Sequence, residues 1–182
     1  MELYPQRKRL RLKGRNYSDP GYYFVTICCA TRRPILGTVN FDKVTLSIMG
    51  QLVDDCWRRI PSICGGVELG TFVVMPNHLH ALILLPTALP GRNVHQWSLT
   101  TIIGNFKAAV SKQSHTSRLW QRSFYDRIVR NQEELDAIRG YILMNPERWA
   151  GDRFNPEAIM SDDDFLLSDS KAGGTLSRPY MG

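Results

Sequence analysis

His78 and His80 stand two residues apart in the run VVMPNHLHALILL, and they are half of the four histidines in the chain. On a β-strand, residues i and i+2 share a face. The pair therefore presents two imidazoles side by side, and neutral imidazole is a good ligand for many divalent ions. Well downstream, Tyr141 and Asn145 stand four residues apart in YILMN. On a helix that spacing puts a phenol and a carboxamide on one side, one turn apart. Two imidazoles and an amide oxygen leave positions open on a six-coordinate ion. A phosphate oxygen can fill them, and the ion then acts as a Lewis acid toward phosphorus. A tyrosine hydroxyl is a poor nucleophile at neutral pH, but a nearby cation favours its ionisation. Its attack on a phosphodiester gives a covalent phosphotyrosine, which conserves the energy of the broken bond.

Each feature alone also has a plain structural explanation. His-x-His in a strand can be a simple hydrogen-bonding pair. A tyrosine on a helical stripe is ordinarily core, and an asparagine before proline commonly caps or turns the chain. Tyr125 is a second candidate nucleophile. It lies between Phe124 and Asp126 in an expected strand, with no polar partner one helical turn on, and is set aside.

The elements that must position these groups follow from periodicity. Tyr22 to Ala30 is aromatic and β-branched after Asp-Pro-Gly, and reads as a first strand. A loop with Pro34 and Gly37 follows. Val44, Ile48, Leu52, Val53 and Cys56 make an apolar stripe that predicts a helix over 42–60, stopped by Pro61. Val67 to Met75 and His78 to Leu85 predict two strands joined by a short Pro76-Asn77 turn. Ser98 reads as the cap of a helix bearing Leu99, Ile102, Ile103, Phe106 and Val110. Tyr125 to Val129 is a fourth strand. Asn131, with Glu134 three residues on, opens a last helix that carries Leu135, Ile138, Tyr141, Ile142 and Asn145 and ends at Pro146.

The order of the first six elements predicts an α+β, ferredoxin-like (RRM-like) β-α-β-β-α-β antiparallel sheet with two helices on one face. Along the third strand, His78, His80, Leu82 and Leu84 alternate with Leu79, Ala81, Ile83 and Leu85. Both faces are apolar beyond the histidines, so both need cover. The last helix is left to cover the histidine face, which would bring Tyr141 and Asn145 to the imidazoles.

At 182 residues with 43% hydrophobic, the chain suits one domain with tails. Residues 1–20 form a basic arm with Arg7, Lys8, Arg9, Arg11, Lys13 and Arg15 against Glu2. Residues 21–150 form the domain, and 151–182 a polar tail with Asp162-Asp163-Asp164. A net charge of +6, mostly from arginine, leans toward nucleic acid, because guanidinium matches phosphate in a bidentate manner. Cys28, Cys29, Cys56 and Cys64 lack C-x-x-C spacing and read as small buried hydrophobes in a reducing compartment. Neither a membrane span nor a signal peptide is evident, and a cytoplasmic protein is expected.

PNHLHALIL, then WQRSFYDRIVRN, then a helix ending in YILMNP resembles the single-tyrosine HUH transposases. The similarity is greatest to the REP-associated tyrosine transposase branch and related IS200-like transposases. RLKGRNYSDPGYYFVTICC and GTFVVMPNHLHALIL fit the same pattern, which spans roughly residues 7–155. The resemblance implies an enzyme that nicks and rejoins single-stranded DNA beside hairpins through a 5′-phosphotyrosine, with Mg²⁺ or Mn²⁺. It places the nucleophile on Tyr141 and the metal ligands on His78, His80 and Asn145; many relatives carry glutamine where Asn145 stands. Repeat or transposon-end hairpin DNA is the implied partner, with the protein acting as a monomer or homodimer. Charge and position suggest Arg7, Lys8, Arg9, Arg11, Arg122, Arg127 and Arg130 for DNA contact. A non-catalytic, domesticated single-strand-binding module is the alternative. A hydrolase that recruits His95 and His115 and acts through metal-bound water is a third reading.

Overall fold

A computed structural model describes residues 17–87, 97–156 and 158. Its sheet holds four antiparallel strands, β1 (Gly21–Cys28), β4 (Glu68–Met75), β5 (His78–Leu85) and β6 (Tyr125–Ile128), in the order β4-β5-β1-β6. Two further strands, β2 (Gly37–Asn40) and β3 (Lys43–Leu46), form a separate hairpin. The helices are α1 (Ile48–Arg58), the short α2 (Ile60–Ile63), α3 (Leu99–Gln113) and α4 (Gln132–Leu143). Counting only the four-stranded sheet with α1 and α3, this is the expected ferredoxin-like arrangement, an α+β fold. Among the described residues, no helix is long and apolar enough to cross a membrane.

Local chemistry accounts for most boundaries. Ser47, Ser98 and Asn131 each accept a backbone N–H of the first turn, from Gly50, Thr101 and Glu134, and so cap α1, α3 and α4. The expected reciprocal bond at α4 differs in one detail: the Glu134 carboxylate accepts from Arg130 N–H, one residue before the cap. Met75 pairs with His78, so Pro76-Asn77 is a two-residue hairpin turn.

Alternation along β5 divides the core. Leu79, Ala81, Ile83 and Leu85 point to the back face, where Val53, Cys56 and Trp57 of α1 and Ile102, Ile103 and Phe106 of α3 close over them. Trp57 is wholly buried and meets Phe106 edge to face, with ring centres 5.1 Å apart. On the front face Leu82 packs against Leu135, Ile138 and Ile142 of α4, flanked by Tyr22, Phe24 and Val73. The last helix thus covers the histidine face. All four cysteines are buried and free.

Two expectations need correction. The stretch expected to begin a helix at Asp42 is the β2–β3 hairpin, and α1 starts at Ile48. Val44, counted in the helical stripe, pairs with Val39. The turn residues Phe41 and Asp42 have φ of 48° and 62°. A two-residue turn of this kind ordinarily uses Asn-Gly, and its absence hides the hairpin from a reading of the sequence. The hairpin's lower end is tied down where Ser47 N–H donates to Leu36 O and Leu36 N–H to Pro76 O. Gly50 leans on the same spot: a Cβ there would lie 1.9 Å from Leu36 O, so no side chain fits. The second correction concerns Asn145. α4 ends at Leu143, and Asn145 lies in the turn that follows, its N–H donating to Ile142 O.

Candidate active site

His78 and His80 lie at the head of β5, wholly buried and 1% exposed respectively, with ring centres 4.5 Å apart. Each ring is oriented by a neighbour. Asn77 donates its amide to Arg32 O at 2.6 Å and to Phe154 O at 2.8 Å, which fixes that end of the carboxamide as nitrogen. Its other end is then a carbonyl oxygen, 2.9 Å from His78 Nδ1, and can only accept. His78 is therefore protonated on Nδ1 and bare on Nε2. Across the register from β1, the Thr26 hydroxyl lies 2.8 Å from His80 Nδ1. With that nitrogen donating, His80 Nε2 faces the Tyr141 hydroxyl at 3.4 Å.

Tyr141 comes from the third turn of α4 and reaches across the front face. Its ring lies 5.3 Å from that of His80 and meets Phe24 edge to face at 5.9 Å. It is 37% exposed, so the hydroxyl's surroundings open toward solvent. Asn145 is buried, and its side-chain oxygen has no hydrogen-bond partner among the described residues. His78 Nε2 is in the same position. Buried polar atoms without partners are uncommon and often mark an ion or water site.

A further donor arrives from a stretch without periodicity. Successive turns carry the chain from Asn145 through the 3-10 turn Trp149–Gly151 to Asp152. A ligand atom from each of His78, His80 and Asp152 lies within 4.8 Å of the others. This group could hold a divalent metal. The donor chemistry fits, with two imidazoles and a carboxylate. Phe154 and Trp149 wall the site, with ring centres 4.7 Å and 6.1 Å from that of His78. The packed chain runs on to Asn155, beyond the expected domain end at residue 150.

Burial is the main electrostatic force on the pair. It holds His78 well below the usual imidazole range, helped by the neighbouring His80 and the positive charge of Arg153. Burial, with Arg153 second, pushes His80 down to about 3. Burial also raises the Asp152 carboxyl. The Arg153 guanidinium sits 4.7 Å over the Phe154 ring and 5.7 Å from the Tyr125 ring.

The structure thus brings together His78, His80 and Tyr141. Arg122, Arg127 and Arg130 are exposed along and beside β6, and Arg127 pairs with Glu134. Arg7, Lys8, Arg9, Arg11 and His95 lie outside the described residues. His115 is exposed, and no group containing it appears among the described residues that could hold a metal. Tyr125 stands opposite Thr26 on the front face, closer to the site than its sequence context suggests, but its ring meets Phe154 and Arg153. Sequence reasoning missed Thr26, Asp152, Arg153 and Phe154. Only Thr26 had a usable signal, since alternation along β1 puts it on the face of Phe24.

No family model matches the chain. It is 34% identical over 166 residues to an uncharacterized protein of Haemophilus influenzae, covering 81% of this chain and 92% of the relative. The chain belongs to that protein's family. Among solved structures it is similar to a REP-associated tyrosine transposase bound to a REP hairpin, with a TM-score of 0.57 and 21% identity. That match covers 80% of this chain and 74% of the other. A Deinococcus radiodurans protein assigned as a transposase matches with a TM-score of 0.44 and 21% identity, over 72% of this chain and 95% of the other. The chain has an IS200/REP-type tyrosine transposase-like fold.

Proposed function

We propose that the protein is a metal-dependent transposase or endonuclease that nicks and rejoins single-stranded DNA beside hairpins, with Tyr141 as nucleophile. The observation that carries this reading is the Tyr141 hydroxyl 3.4 Å from His80 Nε2, on the helix that packs over the histidine face. The hairpin bound by the solved relative supports the choice of DNA. His78, His80, Asn145 and the unforeseen Asp152 would hold Mg²⁺ or Mn²⁺. When bound, such an ion supplies Lewis-acid polarisation of a phosphate oxygen.

The residues of the chain do the rest. Asn77 and Thr26 keep both Nε2 lone pairs directed into the site. His80 Nε2 has one lone pair, so it can hold a cation or accept the Tyr141 proton, but not both. With the cation held, the phenolic proton leaves through the exposed side of Tyr141 to water. The phenolate oxygen then forms a bond to phosphorus as the bond from phosphorus to the 3′-oxygen breaks. The leaving oxygen takes a proton from water and becomes a 3′-hydroxyl. Attack of a 3′-hydroxyl on the phosphotyrosine reverses the step and rejoins the strand. Arg153, beside both imidazoles, offers a positive charge to the phosphate. Arg122, Arg127 and Arg130, together with Arg7, Lys8, Arg9 and Arg11 of the arm, would contact the DNA backbone.

The test is a covalent adduct between the protein and a hairpin-bearing oligonucleotide in Mn²⁺, resolved on a denaturing gel. Tyr141→Phe should reduce the adduct to background and leave oligonucleotide binding intact. An undiminished adduct moves the nucleophile elsewhere, with Tyr125 the first alternative. Binding by wild type without any adduct would favour a non-catalytic single-strand-binding module.

A further inference from the structure

A cavity of about 260 Å³ lies beside the histidines, between the β2–β3 hairpin and the segment that follows α4. Its apolar walls come from Pro34, Pro76, Pro156 and Trp149, and Thr38 and Asn40 add polar groups. Two walls are continuous with the candidate active site. Pro76 is two residues before His78, and the Trp149 ring centre is 6.1 Å from that of His78. A group in the cavity is thus separated from the imidazoles by little more than one side chain.

Size and chemistry narrow the occupant. Pockets for drug-sized ligands run from roughly 300 to 1,000 Å³, so this one suits a single small ring system. Flat proline and indole surfaces favour an aromatic face, and the polar groups favour an edge that forms hydrogen bonds. If a phosphodiester is gripped at His78, His80 and Tyr141, the nearest ring tethered to it is the base of an adjoining nucleotide. We propose that this cavity receives one unpaired nucleobase next to the scissile phosphate, stacked on Trp149. The proposal rests on the phosphodiester reading given above, and it adds a site that helps choose where the strand is cut. The β2–β3 hairpin then has a role of its own, as a wall that shapes the pocket without supplying a catalytic group.

The test uses the full chain and a fluorescent hairpin oligonucleotide with single-stranded flanks, in which each unpaired position is made abasic in turn. One position should weaken binding roughly tenfold, in line with the value of a single base–aromatic stack. In Thr38→Trp, which fills the cavity from an exposed strand position, that penalty should vanish. A second measurement needs no variant: 2-aminopurine at the same position should lose fluorescence on binding, as it stacks on Trp149. Uniform abasic effects, a penalty that survives Thr38→Trp in a folded variant, or unchanged 2-aminopurine emission each overturn the pocket. The Tyr141 adduct is scored separately, so an adduct without a position-specific penalty removes the pocket and leaves the proposed reaction standing. Failure to bind any single strand removes both.

Discussion

Behind the sheet, the aliphatic side of β5 meets α1 and α3 in one continuous apolar core. In front, among the described residues, Leu82, Leu135, Ile138 and Ile142 form the buried apolar cluster, and the rest of that face is given to His78, His80, Thr26 and their neighbours. One strand therefore serves two solvents, a dry interior on one side and a polar pocket on the other. The comparison separates stability from chemistry. Apolar burial of the back-face kind contributes most of folding free energy, whereas buried polar groups cost free energy unless each finds a partner. The front face is tolerated because Asn77 and Thr26 satisfy one nitrogen of each imidazole, while α4 brings enough apolar surface to shut the lid.

That division can be broken or sharpened by experiment. Trp57→Ala on the back face should lower stability by about 3–5 kcal/mol, read from the urea midpoint. A loss below about 1 kcal/mol would mean that the back core is not what holds the sheet. The front face should show itself through pH instead. The folded-state values of His78 and His80 lie below the unfolded value near 6.5. The unfolded chain therefore takes up protons first, and stability is full above that value and falls as pH drops toward 3. For His80 the loss at pH 5 is on the order of 2 kcal/mol. His80→Phe, measured in a chelator, should flatten the curve between pH 7 and 5, and an unchanged slope would assign the acid sensitivity elsewhere.

Asn131→Ala removes the cap of the tyrosine helix and should cost about 1 kcal/mol. It should also lower adduct yield more than Trp57→Ala does at equal stability, because it loosens α4 itself. The smallest effect is expected from Arg122→Ala. The fold should be unmoved, while the slope of log affinity for DNA against log salt should fall by about one. An unaltered slope would remove Arg122 from the DNA surface.

The same two faces explain what was legible from the chain. Back-face packing repeats every second residue on β5 and every third or fourth on α3, so the strands of the main sheet, the helices behind it and their order could be read from spacing. His78, His80 and Tyr141 were visible because they sit on those regular elements. Asp152, Arg153 and Phe154 come after Pro146, where turns replace periodic structure, and nothing in their spacing shows that the chain doubles back over His78. The β2–β3 hairpin was missed for a related reason. Its strands are four residues each, and Phe41-Asp42 supply a turn geometry usually announced by glycine.

The tautomer lock at Asn77 reaches beyond orientation. Imidazoles at most metal sites must shed a proton before they can ligate, and uptake of the ion then acidifies the medium. Here burial already keeps both imidazoles neutral, and at His78 the remaining proton is turned outward to Asn77. A cation arriving at neutral pH would meet two neutral rings and release almost nothing to the buffer. Because burial keeps both rings neutral well into acid, protons would compete with the cation for these two residues only at low pH.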